Sequence, residues 1–297
     1  MGWLQDRTIM GVACDLGGPV RGSAEGPQVL QQAGIQRALT TPAHQAHWLG
    51  ILHPPALPRL AALRELYREI ALRVGSVCRA GQQVWVLGGD HAIAHGTWRG
   101  VAHAYRQSLG LLWIDAHLDA HTPQTSESGN PHGMPLAALL GQHSTGDEWH
   151  EGAVLDPARV CVLGARSWEA AELDCLQRLG VRIYTAEEIM ERGICAVLSE
   201  ALERVAPVEL GPEALFGMTL DLDALDPRQV PAVDTPVNDG IAPGLLMQAL
   251  RGMAKDPRCV AVELTEYDPQ KDSDLITATL AIEIVQALVA AESACCP

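Results

Sequence analysis

Two stretches of this sequence place acidic and imidazole side chains at alternate positions. Asp115, His117 and Asp119 form one, and Asp221 and Asp223 the other. Residues two apart in an extended chain point to the same side, so each stretch offers a cluster of donors. Both close apolar runs, where grouped carboxylates are costly unless a cation compensates them. Gly88-Gly89-Asp90-His91 follows a third apolar run, and Glu266 lies just past a fourth. Four carboxylates and two imidazoles (His91, Asp115, His117, Asp119, Asp221 and Asp223) suit two oxygen-preferring divalent ions. Mn²⁺ fits that donor mixture, with Co²⁺ and Ni²⁺ as alternatives. Such a pair supports hydrolysis by activated water. Each segment alone has a plainer reading, because D-x-D is common at loops and caps and a lone apolar-site His is usually a satisfied core residue. Their joint occurrence, each just beyond a strand-like run, favours a site. The glycines before His91 also permit close backbone approach.

The elements that must position these groups are legible as alternating patterns. Apolar runs at 8–13, 84–87, 110–115, 159–163, 214–221 and 259–264 read as strands. Their near-continuous apolar character fits a parallel sheet covered on both faces. Between them, 58–79 carries Leu60, Leu63, Leu66, Ile70 and Val74 near helical spacing. Stretches 187–205, 243–255 and 276–290 read similarly, with Pro243 suited to a first helical turn. Strand–helix alternation predicts an open α/β sheet in three layers. With no linker, repeat or low-complexity stretch, residues 1–297 read as one domain. Ligands of such sheets bind beyond the carboxyl ends of the strands, where the acidic segments fall.

Composition sets outer bounds. Apolar residues make up 47% of 297, which excludes a disordered chain. No run approaches 18 uncharged apolar residues, so no membrane span is expected. The start lacks the basic and apolar regions of a signal peptide, and a cytoplasmic location is expected. The eight cysteines form no C-x-x-C pair, which argues against a zinc ribbon or redox motif. Most are read as small buried apolar residues, and Cys295-Cys296 as a frayed tail. The net charge of −15 disfavours nucleic acid as a partner. It serves solubility, or draws a cationic substrate into an acidic cleft; composition does not separate the two.

The G-G-D-H, D-A-H-x-D and D-x-D-x-x-D-P segments, in this order across nearly the whole chain, resemble those of the ureohydrolase (arginase and agmatinase) family. Ser128-Gly129-Asn130-Pro131-His132-Gly133-Met134-Pro135 resembles the arginase branch, as does Arg21-Gly22 followed by Glu25-Gly26-Pro27. The resemblance implies a three-layer α/β/α fold with a mostly parallel sheet of about eight strands. It implies that His91, Asp115, Asp119 and Asp223 bind one or both manganese ions, that His117 binds the second only, and that Asp115 and Asp221 bridge. Asp119 would pass a proton to the leaving nitrogen, Glu266 would face the guanidinium, and His132 would carry protons. A homotrimer or a hexamer of two trimers is implied. The long tail through which animal arginases make trimer contacts is not expected, as the last helical pattern ends near Pro297.

The rim of the site departs from the arginase pattern. His121 stands where an Asn usually helps to hold the substrate α-carboxylate. It reads as a donor to that carboxylate, a further metal ligand, or a plain loop residue. Ser128 resembles the serine on the same carboxylate, with Ser126 and Asn130 as neighbours in that substrate-binding loop. Glu169, one methylene longer than the usual Asp, stands at the α-ammonium position, with Glu172 as a possible partner. Its plain reading is a first-turn helix glutamate favoured by the macrodipole. Asp234 replaces a Gly, either as a loop cap or as added negative charge near the mouth. These changes leave guanidine hydrolysis as the expectation, with L-arginine ahead of agmatine and 4-guanidinobutyrate. The competing readings are a non-catalytic regulatory relative, opposed by the full ligand set, and a deacetylase-type enzyme, opposed by the second metal set. A nucleotide-binding enzyme is weakest, since no G-x-x-x-x-G-K-[ST] motif occurs.

Overall fold

A computed structural model describes residues 6–105, 109–142, 152, 154–254 and 256–289. Eight strands are formed: β1 (Arg7–Val12), β2 (Ala46–Leu52), β3 (Gln83–Leu87), β4 (Leu109–Ile114), β5 (Val160–Ala165), β6 (Arg182–Thr185), β7 (Leu215–Asp221) and β8 (Cys259–Thr265). They make one sheet in the order β2-β1-β3-β8-β7-β4-β5-β6. Every pairing in it is parallel. The helices are α1 (Gly26–Ala33), α2 (Ile35–Leu39), α3 (Arg59–Arg79), α4 (Ala94–Ala104), α5 (Pro135–Leu139), α6 (Ala170–Leu179), α7 (Ala186–Arg192), α8 (Ile194–Val205), α9 (Pro243–Arg251) and α10 (Ile276–Val289).

The expected three layers follow from period-two burial along the strands. Ile9, Trp85, Leu112, Ile114 and Met218 pack into one core with Leu30, Val197, Leu250 and Ile284 from α1, α8, α9 and α10. Met10, Val84, Val86, Leu111 and Trp113 point the other way, onto Leu66, Ile70 and Val74 of α3, Trp98 of α4 and Leu176 of α6. A strand dressed on both faces shows no polar alternation, which is why the inner strands stood out as apolar runs.

The differences from the sequence reading are local. β2 went unrecognised because it is an edge strand, with exposed Leu49 and a half-buried Trp48 breaking the apolar run. β6 is only four residues and mostly half-buried. The helix read over 187–205 is two helices, broken at Gly193, whose φ of 81° lies outside the helical range. Leu60 is exposed although it falls on the apolar side of α3, because it is the second residue of the helix, in its first turn. The helix read over 243–255 ends at Arg251. Lys255, Ala290 and the Cys295-Cys296 pair lie outside the described residues. Cys14, Cys78, Cys161, Cys175 and Cys259 are free and buried, as expected. Among the described residues, no helix is long and apolar enough to cross a membrane.

The sheet order has one consequence for the site. β7 and β8 insert between β3 and β4, so these four neighbours end side by side. Neighbouring strands lie about 4.8 Å apart. The four acidic segments, each at a carboxyl end, are therefore brought to one edge of the sheet. Gly89 sits in the tightest of these turns: its N–H donates to the Val12 carbonyl at 2.9 Å. A Cβ at Gly89 would lie 1.7 Å from the Cys14 carbonyl oxygen. Because the obstacle is backbone, Gly89→Ala is expected to destabilise the fold by about 3 kcal/mol, read from urea unfolding; a loss below the measurement error would contradict this packing.

Candidate active site

His91 begins a short 3₁₀ turn after β3, capped by Asp90, whose side chain accepts the Ala92 N–H. The His91 ring is buried and stacks on Trp113 of β4 at a centroid distance of 4.4 Å. Its Nε2 lies 3.0 Å from the Thr219 hydroxyl of β7. That hydroxyl donates to Glu263 Oε1 of β8, which also accepts the Trp98 indole N–H. With its own proton committed to Glu263, the Thr219 oxygen must accept from His91, so the ring carries its hydrogen on Nε2. In the neutral ring Nδ1 is then the lone pair; burial alone would lower this imidazole, but Asp115, Asp119 and Asp221 outweigh it and draw positive charge to that nitrogen. Nδ1 stands 3.1 Å from one oxygen each of Asp115, Asp119 and Asp221, with no hydrogen-bond partner of good geometry among the described residues. One lone pair facing three carboxylate oxygens in a buried site is the arrangement a cation between them resolves.

A second group adjoins the first. His117 Nδ1 lies 3.1 Å from Asp223 Oδ2 and 3.5 Å from Asp115 Oδ1. Asp115 thus belongs to both groups, and each could hold a metal ion. The carboxylates are aimed by their remaining contacts. Asp115 accepts from the Trp113 indole at 2.9 Å and the His117 N–H at 2.7 Å. Asp221 accepts from the Asp223 N–H at 2.8 Å, and Asp223 from the Ala116 N–H and the Thr235 hydroxyl. The set fits two divalent ions in number, donor type and charge.

The electrostatics express the same demand for positive charge. Burial pushes Asp221 well above the usual carboxylate range, and Asp223 and Asp115 push it further. Asp119 is raised to about 6 by burial and by Asp115. Burial alone would lower His117, but Asp223 and Asp115 outweigh it and hold it at about 12. Protons and metal ions therefore compete for the same groups.

Glu266 follows β8 with its backbone in the left-handed region, φ 65°, and Asp119 follows β4 at φ 49°. Non-glycine residues held there cost on the order of 1–3 kcal/mol and gather at functional sites. Glu266 Oε1 accepts the His91 N–H at 2.7 Å and faces His132 Nδ1 at 3.4 Å. Its Oε2 is buried and has no hydrogen-bond partner among the described residues. Burial would raise Glu266, but the contact with His132 leaves it lowered. In turn Glu266 overcomes burial and lifts His132 to about 9.

The rim is arranged differently from the sequence expectation. His121 is engaged at both ring nitrogens, Nδ1 with the Thr125 hydroxyl at 3.1 Å and Nε2 with Glu169 Oε2 at 2.9 Å. Glu169 is the N-cap of α6 and forms a reciprocal capping box with Glu172, which satisfies two backbone donors at a helix start. Glu172 is buried and also accepts the Ala120 N–H. The plain helix-start reading of Glu169 is therefore met, with its exposed carboxylate still reaching His121. Ser126 and Ser128 lie 3.4 Å apart, and their hydroxyls accept the Gly129 and Asn130 N–H groups. Asn130 Oδ1 accepts from Arg59. Asp234 is buried against Lys271 Nζ at 3.1 Å, so its charge is paired.

Sequence reasoning missed the residues that aim the ligands. Thr219, Glu263, Trp98, Trp113 and Thr235 carry no spacing signal of their own. Nor does Arg166, whose guanidinium ties the carbonyls of Asp223, Ala224, Leu225, Val237 and Asn238 into one loop. A buried glutamate in an otherwise apolar strand, Glu263, was the one available hint.

Thr219→Val keeps the shape but frees the His91 ring to change tautomer. It is expected to weaken metal binding roughly 10–100-fold in a calorimetric titration, and an unchanged dissociation constant would remove Thr219 from this role. For the intact protein, apparent metal affinity should rise from pH 6 to pH 8, because binding must displace the proton on His117 and, at the acid end, the one on Asp119. A flat profile would show that protons and metal do not share these groups.

The comparisons with known proteins agree with this geometry. The family profile described as "Arginase family" matches residues 5–291. An arginase of Bacillus caldovelox is 35% identical over 298 residues, covering 95% of this chain and 97% of that protein. An arginase of Bacillus subtilis is 33% identical, covering 96% and 98%. The crystal structure of an arginase from Bacillus cereus superposes with a TM-score of 0.90 at 31% identity, covering 98% of this chain and 100% of that one. Sequence, sheet order and the paired donor groups lead to one conclusion: this chain belongs to the arginase family.

Proposed function

We propose that this chain hydrolyses L-arginine to L-ornithine and urea, using two Mn²⁺ ions held by His91, Asp115, His117, Asp119, Asp221 and Asp223. The observation that carries the substrate class is Glu266 Oε2, a buried carboxylate oxygen with no hydrogen-bond partner among the described residues, beside the candidate metal ligands. A buried polar atom left alone is costly, and a planar guanidinium supplies charged N–H donors that suit it. Arginine as the particular guanidine is supported by full-length similarity to proteins named arginase.

When bound, the two ions would lower the pKa of water toward neutrality and make a nucleophile available. The side chains do the rest. Glu266 orients the guanidinium through Oε2, while its Oε1 remains tied to the His91 N–H. Asp119, beside the position of the nucleophile, would take its proton and deliver it to the leaving nitrogen. His132, 17% exposed and in contact with Glu266, stands between the site and solvent. It exchanges protons with bulk water. At the rim, the Ser126 and Ser128 oxygens already accept backbone N–H groups, which leaves hydroxyl hydrogen to donate to the α-carboxylate. His121 reaches that carboxylate only by leaving Glu169, whose acid group in turn suits the α-ammonium. The presence of every ligand group speaks against a non-catalytic relative. We propose further that the chain acts as one cytoplasmic catalytic domain in a homotrimer or a hexamer of trimers, a state that light scattering would read.

Two outcomes are expected from urea release by the Mn²⁺-loaded protein. Glu266→Gln should cost about 10²-fold or more in kcat/KM; a near-neutral result would end the guanidinium assignment. In a panel of arginine, agmatine and 4-guanidinobutyrate, arginine should have the highest kcat/KM. Ser128→Ala should raise KM for arginine and leave agmatine, which has no carboxylate, unaffected. A higher value for agmatine would overturn the choice of substrate while keeping the chemistry.

A further inference from the structure

Arg59 is the first residue of α3, an exposed cation at the positive end of a 21-residue helix, with no side-chain cap before it. Positive charge in a first turn opposes the helix dipole, so α3 itself gains nothing from an arginine there. Its guanidinium is spent elsewhere. Nε donates to the Leu16 carbonyl at 2.6 Å, and Nη2 donates to the Gly17 carbonyl and to Asn130 Oδ1, both at 3.2 Å. One planar group thus joins the start of α3, the segment after β1 and the loop after β4.

The middle piece of that junction touches the chemistry on its other side. Gly17 N–H donates to Asp90 Oδ2 at 2.6 Å, one residue from His91. The Gly17 carbonyl also accepts the backbone N–H of His132 at 3.2 Å. Gly18 lies flat against the His132 ring, where an added Cβ would come within 3.7 Å of Nδ1. We propose that Arg59 is a positioning residue for His132: its fork locks Leu16-Gly17 to Asn130 and so fixes the imidazole at its contact with Glu266. This rests on the reading of His132 as the proton carrier. A lysine cannot replace the fork, because one ammonium on a flexible stem does not span both backbone carbonyls and the amide oxygen in a fixed plane.

The test is a double-mutant cycle on the Mn²⁺-loaded full chain, with urea release from arginine and metal content per chain both measured. Arg59→Ala should lower kcat about 10-fold, with KM within about twofold and two metals retained. Arg59→Lys should not restore the rate, and it serves under the same criteria if Arg59→Ala does not fold. Residues acting through one another are non-additive, so Arg59→Ala combined with His132→Ala should be no slower than His132→Ala alone. Losses that multiply in the double variant, or a wild-type kcat in Arg59→Ala or Arg59→Lys, overturn the positioning role. A wild-type rate in His132→Ala alone instead removes the proton-carrier reading on which it depends.

Discussion

The rest of the structure depends on the cost of crowding carboxylates in a buried place. Asp115, Asp119, Asp221 and Asp223 are all buried, and three of them turn an oxygen toward one imidazole nitrogen. Solvent does not reach these groups to screen them, and unpaired burial of even one charge is expensive. The fold tolerates the cluster because divalent cations can supply the missing charge, and every neighbouring feature serves that exchange. The Thr219–Glu263–Trp98 chain commits the His91 proton to the far side of the ring. Backbone N–H groups and the Trp113 indole hold the carboxylates from behind.

The same constraint explains where strain is kept. Asp119 and Glu266 take left-handed backbone conformations that neither residue favours. At Glu266, the residue after β8, the unusual turn lets the chain leave the strand tip abruptly; at Asp119 it falls further on, in the loop after β4, and each carboxylate stays buried. Parallel strands covered by helices on both faces provide a stiff platform for this, since the two cores leave the strands little freedom to relax. The proposed metal ligands and Glu266 lie at or shortly after strand tips, whereas Ser126, Ser128 and Asn130 lie in the longer loop after β4, which Arg59 meets at Asn130. Rigid chemistry and an adjustable rim are thereby separated within one chain.

Much of this was legible in the sequence, and the reason differs by level. Apolar runs ending in D-x-D or G-G-D-H mark inner strands followed by candidate ligands, because a strand buried on both faces admits few polar groups, such as Thr219 and Glu263, before its end. The outer strands β2 and β6 were not legible, because edge position and half-burial dilute the apolar signal. The break at Gly193 was overlooked because the apolar spacing continues on both sides of it. At the rim, residue type named the candidates His121, Ser126, Ser128, Asn130 and Glu169. It did not say that His121 would turn to Glu169, or that Asn130 would be met by Arg59.

By itself, then, the sequence determined the donor types, their spacing along the chain and the alternation that demands a layered α/β sheet. Those are local properties, fixed by side-chain chemistry and by the two-residue and 3.6-residue periods of strand and helix. Only the tertiary structure decided that segments near 90, 117, 222 and 266 meet. They do so because β7 and β8 enter the sheet between β3 and β4, a matter of strand order that no local pattern encodes. It also decided which nitrogen of the neutral His91 ring is bare, since that follows from a hydroxyl 128 residues away in the chain.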